Sequence, residues 1–213
     1  MRPYRTLLQS AAAEFVVNKS RFIGSGAPAG TEEAALALLS EIRQSHKDAN
    51  HNCYAYIVGA NMGVMRYSDD GEPGGTAGLP IIEHMKSRGI TNCLVVVTRY
   101  FGGVLLGAGG LARAYAQGAK LAVDACGVGT MHPTARLLVD VPYPLLNRVD
   151  FFLKSAPVLV EDRSFAEQVT LSLIVRTADE EKLTGKLVDL SEGILAPVRF
   201  EEFYHAWKEE ESG

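Results

Sequence analysis

Hydrophobic residues in the first half of the chain follow two periods. Where they recur at every second position a strand is favoured, and where they recur at every third or fourth position a helix is favoured. Thr31 precedes the first helical segment as a candidate N-cap. Leu36, Leu39 and Ile42 fall on one side of that segment and are expected to face the core. The patterns predict strands at residues 14–17, 21–27, 53–58, 64–67 and 94–98, and helices at residues 32–44, 77–88 and 109–125.

The pattern changes at His132-Pro133, and we place a domain boundary near residues 128–135. The order that follows, β-α-β-β-α-β, is that of the split βαβ, ferredoxin-like unit. The sequence therefore predicts two domains, residues 1–130 and 131–213, of overall α+β class. For the second half, the patterns predict strands at residues 135–141, 157–161, 167–175 and 194–203, and helices at residues 144–154 and 178–190.

Composition and charge limit the class of protein and the kinds of partner that the chain can have. The chain has 213 residues, of which 47% are hydrophobic and 22% charged, so it can build a core. The net charge of −4 is uneven, since residues 1–130 are slightly basic and residues 131–213 are clearly acidic. An acidic half is unsuited to lie along a nucleic acid by itself. The acidic end, residues 209–213, is expected to be a solvated terminus.

The cysteines and the apolar segments indicate a cellular compartment. No apolar segment approaches the ~18 residues that a membrane span needs, and the N-terminal segment lacks the pattern of a signal peptide. Cys53, Cys93 and Cys126 are odd in number and widely spaced. We therefore expect a cytoplasmic protein without a membrane partner, with free thiols and with neither a disulfide nor a zinc site.

The segment most indicative of a binding function is rich in glycine and lies between the strand at 94–98 and the long helix. Such a density of glycine indicates positive φ angles or close backbone approach, and free N–H groups at a helix start suit an anion or phosphate. Arg99 and Arg113 flank the segment, and Tyr100 and Phe101 could stack on a ligand. A tight structural turn explains the pattern equally well. The glycines are Gly102, Gly103, Gly107, Gly109 and Gly110.

A second segment combines carboxylates with glycines ahead of a helix. Asp69, Asp70 and Glu72 could hold Mg²⁺, or they could offset the dipole of the helix that follows. Gly74, Gly75 and Thr76 then lead into that helix, which Thr76 or a neighbour is expected to cap. His51 could bind a ligand or be an exposed polar group. The sequence gives no nucleophile and base in a recognised pattern, so no catalytic residue is assigned.

Two long motifs resemble the signature blocks of the IMPACT family, whose bacterial members are the YigZ-like proteins. They are Asp-Asp-Gly-Glu-Pro-x-Gly-Thr-Ala-Gly-x-Pro at residues 69–80 and Val-Val-Val-Thr-Arg-Tyr-Phe-Gly-Gly-x-x-Leu-Gly-x-Gly-Gly-Leu-x-Arg-Ala-Tyr at residues 95–115. Two shorter blocks, at residues 19–22 and 51–56, also match. The second half resembles the small C-terminal domain of bacterial members, mainly in architecture.

The resemblance implies a fold for each domain and a role connected with translation. For the first domain it implies the α+β fold of a ribosomal-protein domain that is also seen in domain IV of elongation factor G. For the second domain it implies the ferredoxin-like domain V of that factor. Eukaryotic relatives act in translational control by competing for a protein that activates a kinase. The resemblance thus implies contact with the translation machinery or with nucleic acid.

Two functional hypotheses follow. The first is a non-enzymatic binding protein that contacts RNA, the ribosome or a translation-related protein, with no cofactor. The second is a phosphate- or nucleotide-binding enzyme, in which the glycine-rich segment binds phosphate and the acidic loop holds Mg²⁺. Both hypotheses expect the two glycine-bearing loops to lie side by side. Arg99 is expected either to pair with a carboxylate of residues 69–72 or to face the ligand. The sequence leaves the oligomeric state open.

Overall fold

The computed structural model describes residues 1–207, so the acidic end at residues 209–213 lies outside the described residues. The chain divides into two compact units. One unit is Tyr4–Thr130, and the other comprises Met1–Pro3 and the chain from Met131 onward. Within the described residues, no helix is long and apolar enough to cross a membrane.

The first unit contains six strands and three helices among its residues. In chain order they are β1 (Tyr4–Leu7), β2 (Ala11–Val17), β3 (Ser20–Pro28), α1 (Glu32–Ser45), β4 (His51–Val58), β5 (Val64–Ser68), α2 (Gly78–Ser87), β6 (Cys93–Tyr100) and α3 (Gly107–Cys126). Five of the strands form an antiparallel sheet in the order β2-β3-β6-β4-β5. The sequence did not predict β1, a four-residue strand that contributes Leu7 to the core.

The central strand β6 explains why this unit has three layers. Side chains of a strand alternate between the faces of the sheet, and here both faces are apolar. Cys93, Val95 and Val97 pack with α2 and α3 on one face. Leu94 and Val96 pack with α1 on the other face. The sheet therefore lies between α1 and the pair α2 and α3.

Close glycine packing sets the position of α3 on the sheet. A Cβ on Gly24 would lie 2.1 Å from the carbonyl oxygen of Gly118, and a Cβ on Gly118 would lie 2.7 Å from Val97. Only glycine permits such an approach, because the Cβ atom of any other residue would overlap these neighbouring atoms. The contact fixes the height of α3 above β3 and β6, and with it the position of the helix start.

Most predicted elements of this unit are confirmed, with ends shifted by a few residues. Thr31 caps α1, since its Oγ1 accepts the N–H of Ala34 at 3.1 Å. The inner face predicted for α1 was wrong at Leu36, which is 46% exposed. Leu39 is buried as predicted and Ile42 is partly buried, whereas Ala35 takes the buried position expected for Leu36, because the helix presents its 35/39 stripe to the sheet.

The second unit has the ferredoxin-like order and topology. Its sheet runs β10-β7-β9-β8, and every pairing in that series is antiparallel. Its core lies between this sheet and the two helices. Together the units give the α+β class. The elements are β7 (Val128–Val141), α4 (Tyr143–Leu153), β8 (Val158–Phe165), β9 (Val169–Arg176), α5 (Glu180–Leu190) and β10 (Val198–Ala206).

Three strands of the second unit depart from the predicted limits. β7 begins at Val128 rather than at residue 135, and β8 continues to Phe165. β8 is mostly exposed, so its outer half carries no apolar alternation for a sequence pattern to detect. The strand predicted at 194–203 begins only at Val198, because Ser191 and Gly193 first form a turn that buries Leu195.

Candidate functional site

A cavity of about 380 Å³ opens in the first unit where β4 begins, β6 ends and α3 begins. Both signature segments contribute to it, and so does the start of β4. The two glycine-bearing loops therefore meet at one place. The lining residues are Asn50, His51, Glu72, Pro73, Arg99, Phe101, Leu105, Leu106, Gly107, Ala108 and Leu111.

A buried ion pair lies at the wall of this cavity. Nη1 of Arg99 donates to Oε1 of Glu72 at 2.7 Å, and the two side chains are 6% and 3% exposed. The guanidinium also lies 5.6 Å from the ring centre of Phe22 and 5.2 Å from that of Phe101. Of the two alternatives for Arg99, the structure thus contains the pairing with a carboxylate of the acidic loop. Nε of Arg99 is buried and has no acceptor among the described residues.

Tyr115 and Cys53 extend the network into the core. The Tyr115 hydroxyl donates to Oε1 of Glu72 at 2.7 Å. Burial raises the pKa of Tyr115, which keeps this hydroxyl a neutral donor. Burial also raises the pKa of Cys53 to about 12, and its thiol donates to the carbonyl oxygen of Asp69. Cys53 is therefore a protonated structural thiol and not an activated nucleophile.

His51 presents one ring nitrogen towards this network. Its Nδ1 lies 2.8 Å from the carbonyl oxygen of Asp70, and a carbonyl can only accept, so Nδ1 carries the proton. Its Nε2 then lies 3.8 Å from Oε1 of Glu72. A neutral His51 can accept a hydrogen bond at Nε2 from a bound molecule, whereas a protonated ring pairs with Glu72.

The carboxylates considered as a magnesium site each have partners within the protein. The carboxylate of Asp69 accepts the N–H groups of Gly75, Ala77 and Gly78 at 2.8 to 3.0 Å. Asp70 accepts from Arg43 and from the N–H of Asn52. Within residues 1–207, no group of three or more such side chains is placed to hold a metal ion.

The N-cap position of α2 is Ala77, a neighbour of Thr76, and the carboxylate of Asp69 supplies the acceptor for the N–H groups at the helix start. Burial tends to raise the pKa of Asp69, but its three N–H donors lower it below the usual value. The Thr76 hydroxyl instead donates to the carbonyl oxygen of Pro73. Gly74 and Gly75 do not line the cavity, so these two glycines shape the loop rather than the site.

The glycine-rich segment has two structural parts. Gly102 and Gly103 belong to the loop, and a Cβ on Gly102 would lie 2.0 Å from the carbonyl oxygen of Lys19. Gly103 has a φ of +80°, which favours glycine. α3 begins at Gly107, two residues before the predicted start. Gly109 and Gly110 therefore lie in the first turn of α3.

Tyr100 does not belong to the site. It follows Arg99 in β6 and so points to the opposite face of the sheet, where its hydroxyl lies 3.0 Å from Nδ1 of His46. Of the two aromatic residues considered for stacking on a ligand, Phe101 lines the cavity and Tyr100 does not. Arg113 is exposed on α3 and does not line the cavity.

The sequence reasoning missed the apolar rim of the cavity. Residues 101–106 form what we call the apolar loop, in which Leu105 is 85% exposed, Phe101 44% and Val104 39%. Loops usually expose polar side chains, so Val104-Leu-Leu106 between two glycine pairs was an available signal. The side chain of Asn50 is hydrogen-bonded to the loop, since its Oδ1 accepts the N–H of Phe101 at 2.7 Å.

The fold and the site together define a class of protein, a two-domain α+β chain whose first domain carries both signature segments around one cavity. Residues 18–123 match the Impact N-terminal domain, and residues 139–193 match a domain of unknown function (DUF1949). The chain belongs to the IMPACT family.

Relatives cover nearly the whole chain. The IMPACT family member YvyE of Bacillus subtilis is 33% identical over 91% of this chain and 89% of its own. The IMPACT family member YigZ of Escherichia coli is also 33% identical, over 87% and 92% of the two chains. A solved crystal structure of a hypothetical protein matches with a TM-score of 0.62 and 30% identity, over 94% and 98% of the chains.

Proposed function

We propose that this chain is a cytoplasmic, non-enzymatic binding protein that acts in translation or its regulation by docking on a protein partner through the apolar loop. The observation that carries the proposal is the exposure of Leu105, with Phe101 and Val104, at the rim of the cavity. Exposed contiguous apolar residues of this kind mark interaction surfaces in proteins that are otherwise polar outside. The link to translation comes from the family to which the chain belongs.

Charge favours a protein over a nucleic acid as the partner. Binding to nucleic acid depends on several cations that contact phosphates. The charge of Arg99 is already compensated by Glu72, and Arg21 pairs with Glu14. Lys19 and Arg113 are exposed near the loop, and two cations give only a small electrostatic contribution.

The enzymatic alternative loses the groups on which it depended. The Asp69 carboxylate accepts backbone N–H groups, Asp70 accepts from Arg43 and the N–H of Asn52, and Glu72 accepts from Arg99 and Tyr115. The thiol of Cys53 is protonated. Among residues 1–207, no observation at the cavity favours phosphoryl transfer, so we propose the binding function alone.

The test is affinity capture of ribosomal and translation-factor proteins from a native lysate, with and without RNase. Wild type is compared with Leu105→Glu and with Leu36→Glu, which places the same charge at another exposed leucine. Loss of a docking anchor costs ≥ 2 kcal/mol, so we expect Leu105→Glu to reduce capture by about 30-fold.

We expect Leu36→Glu to bind as wild type does, and capture to survive RNase. Capture that disappears with RNase would favour RNA as the partner. Equal capture by all three proteins would contradict docking through the apolar loop.

A further inference from the structure

We propose that the second unit binds a small carboxylate that carries an aromatic ring, with Arg176 contacting the carboxylate and Trp207 and Leu159 packing against the ring. The site is a second cavity, of about 460 Å³, where β8 begins and where β9 and β10 end. Its lining residues all belong to the second unit, so the site is separate from the docking function proposed above. They include Pro157, Leu159, Arg176, His205 and Trp207.

The second cavity opens on the face of the sheet that α4 and α5 leave uncovered. Val175 belongs to the core between the sheet and these helices, so Arg176, the next residue of β9, points to the opposite face. Leu159 pairs with Ile174, two positions before Arg176, and therefore lies on the same face as the arginine. Side chains from two neighbouring strands thus form one wall of the second cavity.

Arg176 lacks a counter-charge among residues 1–207, unlike the other strand arginines of this unit. The arginines of β7, β8 and β10 each pair with a carboxylate, whereas the guanidinium of Arg176 lies 5.3 Å from the ring centre of Trp207. Of its three nitrogens, none of which has an acceptor among the described residues, only Nε is fully shielded, so both Nη groups are open to a ligand. A half-buried charge without a partner is costly, and a carboxylate supplies the charge and accepts two parallel N–H bonds.

Trp207 gives the second cavity a flat apolar wall that is already fixed. Its Nε1 donates to Oγ1 of Thr134 at 2.9 Å, and the ring of His205 lies edge-on to the indole at 5.6 Å. Because these contacts hold the indole, binding does not have to order it, which favours affinity. Leu159, which is 44% exposed, and Pro157 complete the apolar lining. The volume lies within the ~300–1,000 Å³ that small-ligand sites occupy.

The charge of the surroundings favours a singly charged ligand over a polyanion. No carboxylate lines the second cavity among the described residues, so one anionic group meets Arg176 without opposition at short range. Residues 131–213 carry more acidic than basic side chains, and this field repels a nucleic acid or a ligand with several phosphates. A monocarboxylate is therefore the class of ligand that the site fits.

The test uses Trp207 as a reporter inside the site, because it is the one tryptophan of the chain. The full chain is titrated with phenylacetate at constant ionic strength, and fluorescence is excited at the long-wavelength edge, where tyrosine does not absorb. We expect a saturable change with a Kd of about 1–10 mM, as suits a ligand of about ten non-hydrogen atoms.

The carboxylates of Glu209, Glu210 and Glu211 follow Trp207 in the chain, so the titration is repeated after all three are replaced by glutamine. Binding to both forms, or to the glutamine form alone, supports a carboxylate site; in the second case the chain's own carboxylates compete with the ligand. Absence of a saturable change in both forms would overturn the proposal.

Phenylacetamide, acetate and phenyl phosphate are the matched probes. We expect phenylacetamide, which lacks the charge, and acetate, which lacks the ring, each to bind at least about 10-fold more weakly than phenylacetate. Equal binding of phenylacetamide would reduce the site to an apolar cleft, and equal binding of acetate would reduce it to a general anion site. Tighter binding of phenyl phosphate would assign the cavity to phosphate esters. Each of these three results would overturn the proposal.

Arg176→Met removes the charge and keeps the length of the side chain. We expect it to weaken phenylacetate binding at least about 10-fold, and Arg176→Lys to recover only part of the affinity, because lysine lacks the planar fork. The melting temperature of Arg176→Met should be maintained, since the deleted charge has no carboxylate partner among residues 1–207. Arg148→Met is the matched control, because Arg148 is exposed on α4 and does not line the second cavity. Wild-type binding by Arg176→Met would overturn the assignment to Arg176.

A second pair of variants leaves Arg176 in place and so keeps the test valid if Arg176→Met does not fold. Leu159→Glu puts a carboxylate into the second cavity beside Arg176, where it competes with the ligand, and Leu159→Gln has the same shape without the charge. We expect Leu159→Glu to abolish the fluorescence change while its melting temperature equals or exceeds that of Leu159→Gln, which should bind within about 5-fold of wild type. Wild-type binding by Leu159→Glu would overturn the proposal.

Discussion

Replacing Glu72 by glutamine tests how far the site is removed from water. The change keeps the shape and one oxygen acceptor for Tyr115 but deletes the counter-charge of Arg99. The two side chains are 6% and 3% exposed, and breaking a buried pair by removing one partner costs about 3–5 kcal/mol. We therefore expect Glu72→Gln to lower the free energy of unfolding by that amount.

Urea unfolding of the full chain, followed by far-UV circular dichroism, measures the loss. Glu14→Gln is the matched control, because Glu14 and Arg21 are 58% and 51% exposed and such pairs contribute about 0–1 kcal/mol. Adding Arg99→Met to Glu72→Gln should recover part of the loss, since it removes the unpaired charge. A loss under about 1 kcal/mol, or no recovery in the double variant, would refute the reasoning.

Three further expectations concern other parts of the chain. The pKa of Asp69 is lowered in the folded state, so the stabilisation that its carboxylate contributes is present above the usual pKa of 3.8 and is lost as the pH falls through the folded pKa. The difference between wild type and Asp69→Asn in the free energy of unfolding, measured in urea, should therefore shrink from about pH 6 to about pH 2. A difference that stays constant would contradict this. Gly185→Ala, inside α5 where a Cβ meets nothing within 4 Å, should raise the free energy of unfolding in urea by about 0.5–1 kcal/mol. Burial raises the pKa of Cys53 and Cys93 to about 12, so iodoacetamide should label both slowly in the native protein and fully in urea; rapid native labelling would count against it.

The sequence was sufficient for the order of elements because apolar periodicity reports burial directly. It was insufficient where pairing continues without apolar contacts, as in the exposed β8, and where a strand is as short as β1. The same limit applied to the site. Periodicity could not show that Tyr100 and Arg99 face opposite sides of the sheet until the limits of β6 were known.

The chemistry of single residues was harder still to predict. Asp69 and Glu72 are three positions apart and of the same chemical type, yet one caps a helix and the other neutralises a buried arginine. Their partners come from backbone turns and from residues far along the chain, which local spacing does not reveal. The exposed Leu105 could have been noticed, because an apolar run inside a glycine-rich loop is unusual.

The carboxylate of Glu72 joins segments that are distant in sequence, since its partners Arg99 and Tyr115 follow 27 and 43 residues later. It can leave water only after β6 and α3 are both in place, because a lone buried charge is costly. We therefore expect the network to close late in folding, so that its loss acts on the unfolding rate rather than on the folding rate. The cavity is thus a property of the completed unit, and its lifetime is that of the native state itself.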